Sequence, residues 1–386
     1  MAEPFKKKKY FAMTLDPVHI GTGGYRLGRV DNMITREPGT NLPKIPGSSI
    51  AGVTRAYTAM AIQNGTFVNI GTDFKIDYKN YLKCKYQRPA YIFSKILDDE
   101  TEAIVAVDSG NKDKPLYEGK GPDKEKYYSC AGKGADDGEG HCGRFDCEVC
   151  IPFGFSRGKS STSFQGLAQF YDARILFFPV HSMKGPIWVT SPCILNEHGL
   201  SVTLSESDDI FKSFGLEGVD KLNFGWLMLT KDNGDNLTLT DMFSDVPDEI
   251  KNRLLLVSDK LFSRIVNDNL EVRTSVAIDP ATGAAEDGAL YTYEAIPRAT
   301  VMWFDVIYND PDYFRIGGDK KIALSEPASY RDPLRNPEKK DQVGYMAFNV
   351  EKGLAYLEHL GVGGMNTRGM GRLRILNMGG QINGNS

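Results

Sequence analysis

The segments of this chain that carry a packing pattern come in one order: strand, helix, strands, helix, glycine loop, strand. No other feature narrows the fold as much. Residues 8–22, KKYFAMTLDPVHIGT, run into a glycine turn and read as the first strand. Residues 23–47, rich in Gly, Pro, Arg and Asn, read as a long loop. The segment 48–65 reads as a helix: Ser48 or Ser49 can cap it, apolar residues recur at Ile50, Val53, Ala56, Tyr57 and Met60, and Gly65 ends it. Strand signals return at 166–180 and 186–195, and again at 294–308. A last helix over 342–361 precedes a glycine loop and a final strand. This is the βαββαβ order of an α+β, ferredoxin-like fold, stretched by insertions at about 70–165 and 196–290.

Composition removes several function classes. A hydrophobic content of 41% over 386 residues supports a large core. A net charge of −4 excludes a globally basic nucleic-acid binder but leaves room for a local basic surface. No stretch reaches the roughly 18 apolar residues of a membrane span, and the basic run Lys6–Lys9 has no long apolar segment after it, so no secretory signal is expected. That run reads as a solvated lead-in to a strand. Four of the six cysteines crowd into residues 130–150, the usage of a metal site in a reducing compartment, and a cytoplasmic protein is expected.

Two glycine-rich segments suit a polyanion. Between residues 20 and 60 the basic side chains are Arg26, Arg29, Arg36, Lys44 and Arg55, and only Asp31 and Glu37 oppose them. Ser48 and Ser49 open a helix just after Pro46-Gly47, and free N–H groups at a helix start bind phosphate. Arginine adds bidentate phosphate contacts. The second segment, GVGGMNTRGMGRLR (361–374), has five glycines, Arg368, Arg372 and Arg374, and no acid. It follows a helix and enters a strand, so it is not the dinucleotide arrangement. An ordinary loop with an ordinary serine cap explains the first segment equally well, and a tight helix-to-strand connection explains the second.

Cys142 and the Cys147-x-x-Cys150 pair place three thiolates around one ion, and Cys130 or His141 completes a tetrahedron. The intervening AGKGADDGEG is too polar to fold by burial, so a structural zinc would supply the stabilisation. Of the histidines, only His19, at the end of the first strand, sits where a general base for RNA cleavage could act; a hydrogen-bonded loop role competes with it. There is no Ser-His-Asp or Cys-His arrangement, no GxSxG and no Walker A loop.

The chain resembles the RAMP superfamily of CRISPR systems. The residues that carry this are His-Ile-Gly-Thr-Gly (19–23), Val-Asp-x-x-Ile-x-Arg-Glu (30–37), Pro-x-Ile-Pro-Gly-Ser-Ser (43–49) before a helix, and the loop GVGGMNTRGMGRLRI (361–375). FYDARILFFPVHSMKGPIWVTSP (170–192) and VAIDPATGAAEDGALYTYEAIP (276–297) are similar to the repeated backbone subunit of type III-B (Cmr) effector complexes. The cysteine cluster followed by IPFGFS (151–156) looks more like the equivalent subunit of type III-A (Csm) or III-D complexes.

The resemblance implies an RNA-binding palm over 1–65, 165–195 and 290–376, a zinc-bearing insertion over 66–164, a thumb within 196–289 and a flexible tail over 377–386. It implies copies stacked along a CRISPR RNA, complementary target RNA, and other type III subunits as partners, with no membrane. It places guide binding around Gly47 to Arg55 and on 363–371. The candidate RNA-binding set is therefore His19, Arg29, Arg36, Lys44, Gly47, Ser48, Ser49, Arg55, Gly363, Gly364, Arg368, Gly369 and Gly371. It assigns Asp31 to target cleavage with Mg²⁺ or Mn²⁺. The chemistry agrees: attack by a neighbouring 2′-OH needs an in-line geometry that a regular A-form helix does not offer, so splaying one nucleotide and placing one carboxylate is enough. A non-cleaving scaffold, a stand-alone ribonuclease using His19 as base, and a zinc hydrolase are the competing readings.

Overall fold

In the computed structural model the described residues are 4–23, 30–63, 66–69, 90–96, 102–108, 111–120, 127, 130–132, 141–156, 163–204, 209–224, 227–232, 237–318, 320–324 and 342–378. The elements that position the site are, in chain order, β1 (Phe5–Thr14), α1 (Gly47–Gln63), β2 (Ala173–Ser182), β3 (Gly185–Thr190), β4 (Leu254–Leu256), α2 (Asp259–Asp268), β5 (Glu271–Ile278), β6 (Ala285–Ala295), β7 (Val301–Asn309), α3 (Gln342–Ala355) and β8 (Leu373–Ile375). β1 lies between β7 and β8, and β7 pairs on its other side with β2, every pairing antiparallel. Helices α1 and α3 pack against each other.

The period of two along β1 explains why this sheet is covered on both faces. Tyr10 and Ala12 enter a core with Ile50 and Ala59 of α1 and Met346 and Val350 of α3. Phe11 enters a second core with Phe177, Trp303, Phe243, Val246 and Ile250. The segment 196–260, whose role the sequence leaves open, thus supplies the back cover of the sheet. It also extends it: β3 pairs in parallel with β4, whose Leu254, Leu255 and Leu256 are all buried, and Ile210–Ser213 adds to β4.

The Lys6–Lys9 run is not a solvated lead-in. Lys7 pairs with Asp305 at 2.7 Å, Lys8 pairs with the buried Glu351 of α3, and Lys9 lies 4.5 Å over the Trp303 ring. Glu351 also accepts from Tyr10 Oη at 2.8 Å, so alternate lysines anchor β1 to opposite layers.

Several boundaries move. The first strand stops at Thr14 rather than running to 22, because Pro17 has no N–H to give a ladder and the chain beyond makes only single bridges, Val18 to Ile296 and Gly21 to Ile34. The helix over 342–361 breaks after Ala355 and resumes as Leu357–Leu360. Residues 66–120 hold an antiparallel sheet of their own, Thr66–Asn69, Ala90–Ile96, Glu102–Asp108 and Asn111–Lys120. β5 and β6 form a hairpin, and Val272, Val276, Ile278 and Leu290 on it are exposed.

Candidate nucleic-acid interface and cysteine centre

Asp31 is held at the base of the β5–β6 hairpin. Its Oδ2 accepts from the Thr292 N–H at 2.7 Å and from Thr292 Oγ1 at 2.9 Å, and Asn32 bridges to Tyr293. The side chain is fully exposed, and the Thr292 backbone and hydroxyl hydrogen bonds pull its pKa below the usual carboxylate value. A depressed pKa makes Asp31 a permanent anion at neutral pH and a poor proton acceptor, which favours holding a cation over acting as base. The sequence gives Asp31 but not Thr292, whose contribution arises only from the bridge across 261 positions.

The two glycine segments stack on one another. The Gly364 N–H donates to the His19 carbonyl at 3.0 Å, and the Gly371 N–H to that of Pro17 at 2.9 Å. Gly363 has φ +86°, and a Cβ there would lie 2.5 Å from the His19 carbonyl oxygen, so this glycine is required by the fold itself. His19 is buried, with Nδ1 at 2.6 Å from the Glu294 carbonyl. A carbonyl only accepts, so Nδ1 carries the proton, and the imidazole works as a tie between the loop and β6. Gly369 and Arg368 are exposed on the loop, and Arg368 donates to the Tyr291 hydroxyl at 2.6 Å. Tyr291 and Tyr293, with ring centroids 6.3 Å apart, are site residues that the alternation YTYEAI could have signalled.

The basic excess counted along the sequence is largely spent. Arg36 pairs with Glu294 at 2.8 Å, with side chains 12% and 6% exposed. Lys44 pairs with Asp172 at 2.7 Å and Glu37 at 2.9 Å. Arg372 and Arg374 pair with Asp16 and Glu358, but both are 48% exposed. Asp16 and Glu358 are 21% and 33% exposed, so a phosphate displaces them more readily than it opens the Arg36 pair, whose two side chains are both nearly buried. Arg29 lies outside the described residues.

The start of α1 differs from expectation. Neither Ser48 nor Ser49 is the cap: the Gly47 N–H donates to Asp172 Oδ1 at 2.8 Å, so a carboxylate from β2's approach already occupies the anion position. A Cβ at Gly47 would meet the Phe170 carbonyl oxygen at 2.3 Å. Ser48 is exposed and Ser49 half-buried. Arg55 is buried, not presented to solvent; it donates through Nε to the Cys130 carbonyl at 2.7 Å and through Nη1 to those of Gly154 at 2.7 Å and Phe153 at 3.3 Å. Its inward direction follows from the α1 face that also carries Thr54, Thr58 and Ile62 into the interior.

The four cysteines Cys130, Cys142, Cys147 and Cys150 converge, with sulfurs all within 4.8 Å of one another, and His141 is not one of the group. The separations Cys130–Cys147, Cys142–Cys150 and Cys130–Cys150 are 3.9, 3.6 and 3.8 Å. A tetrahedron with Zn–S of about 2.3 Å has edges of about 3.8 Å. Disulfides, at about 2.05 Å, do not fit. The Cys150 N–H donates to Cys147 Sγ at 3.2 Å, a bond that stabilises a thiolate. Hydrogen bonding to the Cys130 sulfur, together with burial, pushes the Cys142 and Cys150 thiols up, so these sulfurs do not ionise together without a cation.

The sheet that carries these loops, with α1 and α3 on one face and the 196–260 segment on the other, comes with a family match. The RAMP superfamily model matches residues 11–374, and the chain belongs to that superfamily. Within it, the chain is 23% identical over 315 residues to the CRISPR system Cmr endoribonuclease Cmr4 of Pyrococcus furiosus, covering 75% of this chain and 77% of that one. It is similar in fold to a chain of the type III-B Cmr-beta complex in its apo state, with TM-score 0.53 and 13% identity over 96% of this chain and 98% of the other. A chain of Cmr-beta bound to cognate target RNA gives TM-score 0.52 and 13% identity over 97% and 99%. Among the described residues no helix is long and apolar enough to cross a membrane.

Proposed function

We propose that this protein is a backbone subunit of a type III CRISPR effector complex. It binds CRISPR RNA as one of several stacked copies, beside the other subunits of the complex, and cleaves complementary target RNA at regular intervals in a reaction that uses Asp31 and Mg²⁺ or Mn²⁺. Within the larger sheet the adjacent strands β2-β7-β1-β8 are the second, third, first and fourth of that set along the chain, an order shared with the ferredoxin-like arrangement, and this supports the palm reading. The β5–β6 hairpin, with its exposed Val272, Val276, Ile278 and Leu290, is the thumb in this reading, and those apolar side chains would unstack the duplex.

The observation that carries cleavage is the placement of Asp31: an ionised carboxylate, oriented by Thr292, at the hairpin base where a splayed nucleotide would lie. Asp31 brings one carboxylate, so the ion would be shared with RNA phosphates, as Mg²⁺ often is. Tyr291 and Arg368 are suited to stack or hold a displaced base. Guide phosphates would meet Gly364, Gly369 and the displaceable Arg372 and Arg374 rather than Arg55. The cysteine tetrahedron holds a structural zinc; with four soft ligands it has no open position for catalysis.

The test is a labelled target RNA cut by assembled complex, wild type against Asp31→Ala and Asp31→Asn at matched target occupancy. Both variants bind target normally and lose cleavage by about a hundredfold or more, and chelator stops the wild type. Wild-type rates from Asp31→Ala would leave the second reading, a non-cleaving scaffold. That reading is favoured by the Thr292 bonds, which also describe a loop cap.

A further inference from the structure

We infer that Arg55 is the internal counter-charge and tether of the tetrathiolate centre, tying the metal to helix α1. This rests on the zinc reading above. Four thiolates around Zn²⁺ leave two uncompensated negative charges, and burying them is costly unless a cation lies close. Cys130, Cys147 and Cys150 are buried. Arg55 is 9% exposed and always protonated. Its hydrogen bonds go to three neutral carbonyls, and among the described residues no carboxylate pairs with it. A buried guanidinium without an acid is unfavourable, and so is a buried thiolate set without a nearby cation. Here each sits beside the other: Arg55 Nη2 lies 4.0 Å from Cys150 Sγ.

The carbonyls that Arg55 selects add a positional role. One belongs to the ligand Cys130; the other two, Phe153 and Gly154, end the short helix that starts at Cys150. The planar fork therefore spans the two ligand segments, which are 20 positions apart in sequence, and fixes one against the other before metal arrives. Metal occupancy and the seating of α1 on the insertion become one equilibrium.

Arg55→Lys and Arg55→Gln separate charge from hydrogen bonding, because each keeps a buried donor and only the first keeps the cation. The purified full chain is titrated with zinc against a coloured chelator, thiols kept reduced, and the fold is followed by circular dichroism. Wild type binds one zinc. The lysine variant is weaker, and the glutamine variant is weaker again by about tenfold or more, within the 10–100-fold range for a group supporting metal ligands. Equal affinity of the two variants, or wild-type affinity in the glutamine variant, overturns the counter-charge role and leaves the zinc reading standing. Wild-type protein with intact thiols that binds no zinc overturns both. If either variant is unfolded without metal, refolding against added zinc decides: the lysine variant recovers at lower zinc, and recovery of both at the same zinc refutes the inference.

Discussion

His198 gives the fold a pH dependence that can be isolated. It is 3% exposed and boxed by aromatic rings, with centroids at 4.6 Å from Trp303, 5.6 Å from Phe243 and 5.9 Å from Phe11. The Lys9 ammonium lies 3.0 Å from Nδ1 and can only donate, so the ring is neutral there. Burial pushes the His198 pKa down to about 3, and the Lys9 and Arg174 charges push the same way. The unfolded chain titrates near the ordinary 6.5. Between these values the unfolded state holds a proton that the folded state does not, so stability falls as pH falls, by about 1.4 kcal/mol per pH unit. From pH 7.5 to 5.0 this amounts to roughly 2 kcal/mol. The assay is urea unfolding at both pH values for wild type and His198→Phe. Phenylalanine fits the aromatic box, and its loss of the Lys9 hydrogen bond is present at both pH values and cancels. Carboxylates titrate alike in both proteins. Wild type should lose about 2 kcal/mol more than the variant between the two pH values. An equal loss in both would show that His198 takes up its proton in the folded state, and would refute the argument from burial.

Two further outcomes follow from the interface. Gly363→Ala, which sets a Cβ 2.5 Å from the His19 carbonyl oxygen at φ +86°, should cost about 1–3 kcal/mol in urea unfolding and weaken RNA binding by displacing the stacked loops. Asp172→Asn removes the charge that caps α1 and pairs with Lys44; it should cost about 1 kcal/mol or less in urea unfolding, and a larger loss would show that this carboxylate does more than cap the helix and pair with one lysine.

The sequence by itself determined what depends on local chemistry and periodicity. The mix of strands and helices, the helix read over 48–65 and found at Gly47–Gln63, and the thiolate spacing are legible because strand and helix periods and metal-ligand spacings are properties of neighbouring residues. Tertiary structure decided where charge is spent. Arg36, Lys44 and Arg55 look equally free in the chain, yet Glu294, Asp172 and the Cys130 carbonyl claim them from 258, 128 and 75 positions away. The cap of α1 comes from Asp172 rather than from the adjacent serines, and Asp31 owes its orientation to Thr292 across 261 positions. That Cys130 rather than His141 joins the other three sulfurs was likewise decided in space. Ion pairs and hydrogen bonds act over a few ångströms, and which groups come that close is set by how the sheet and helices pack, a distance that chain position does not encode.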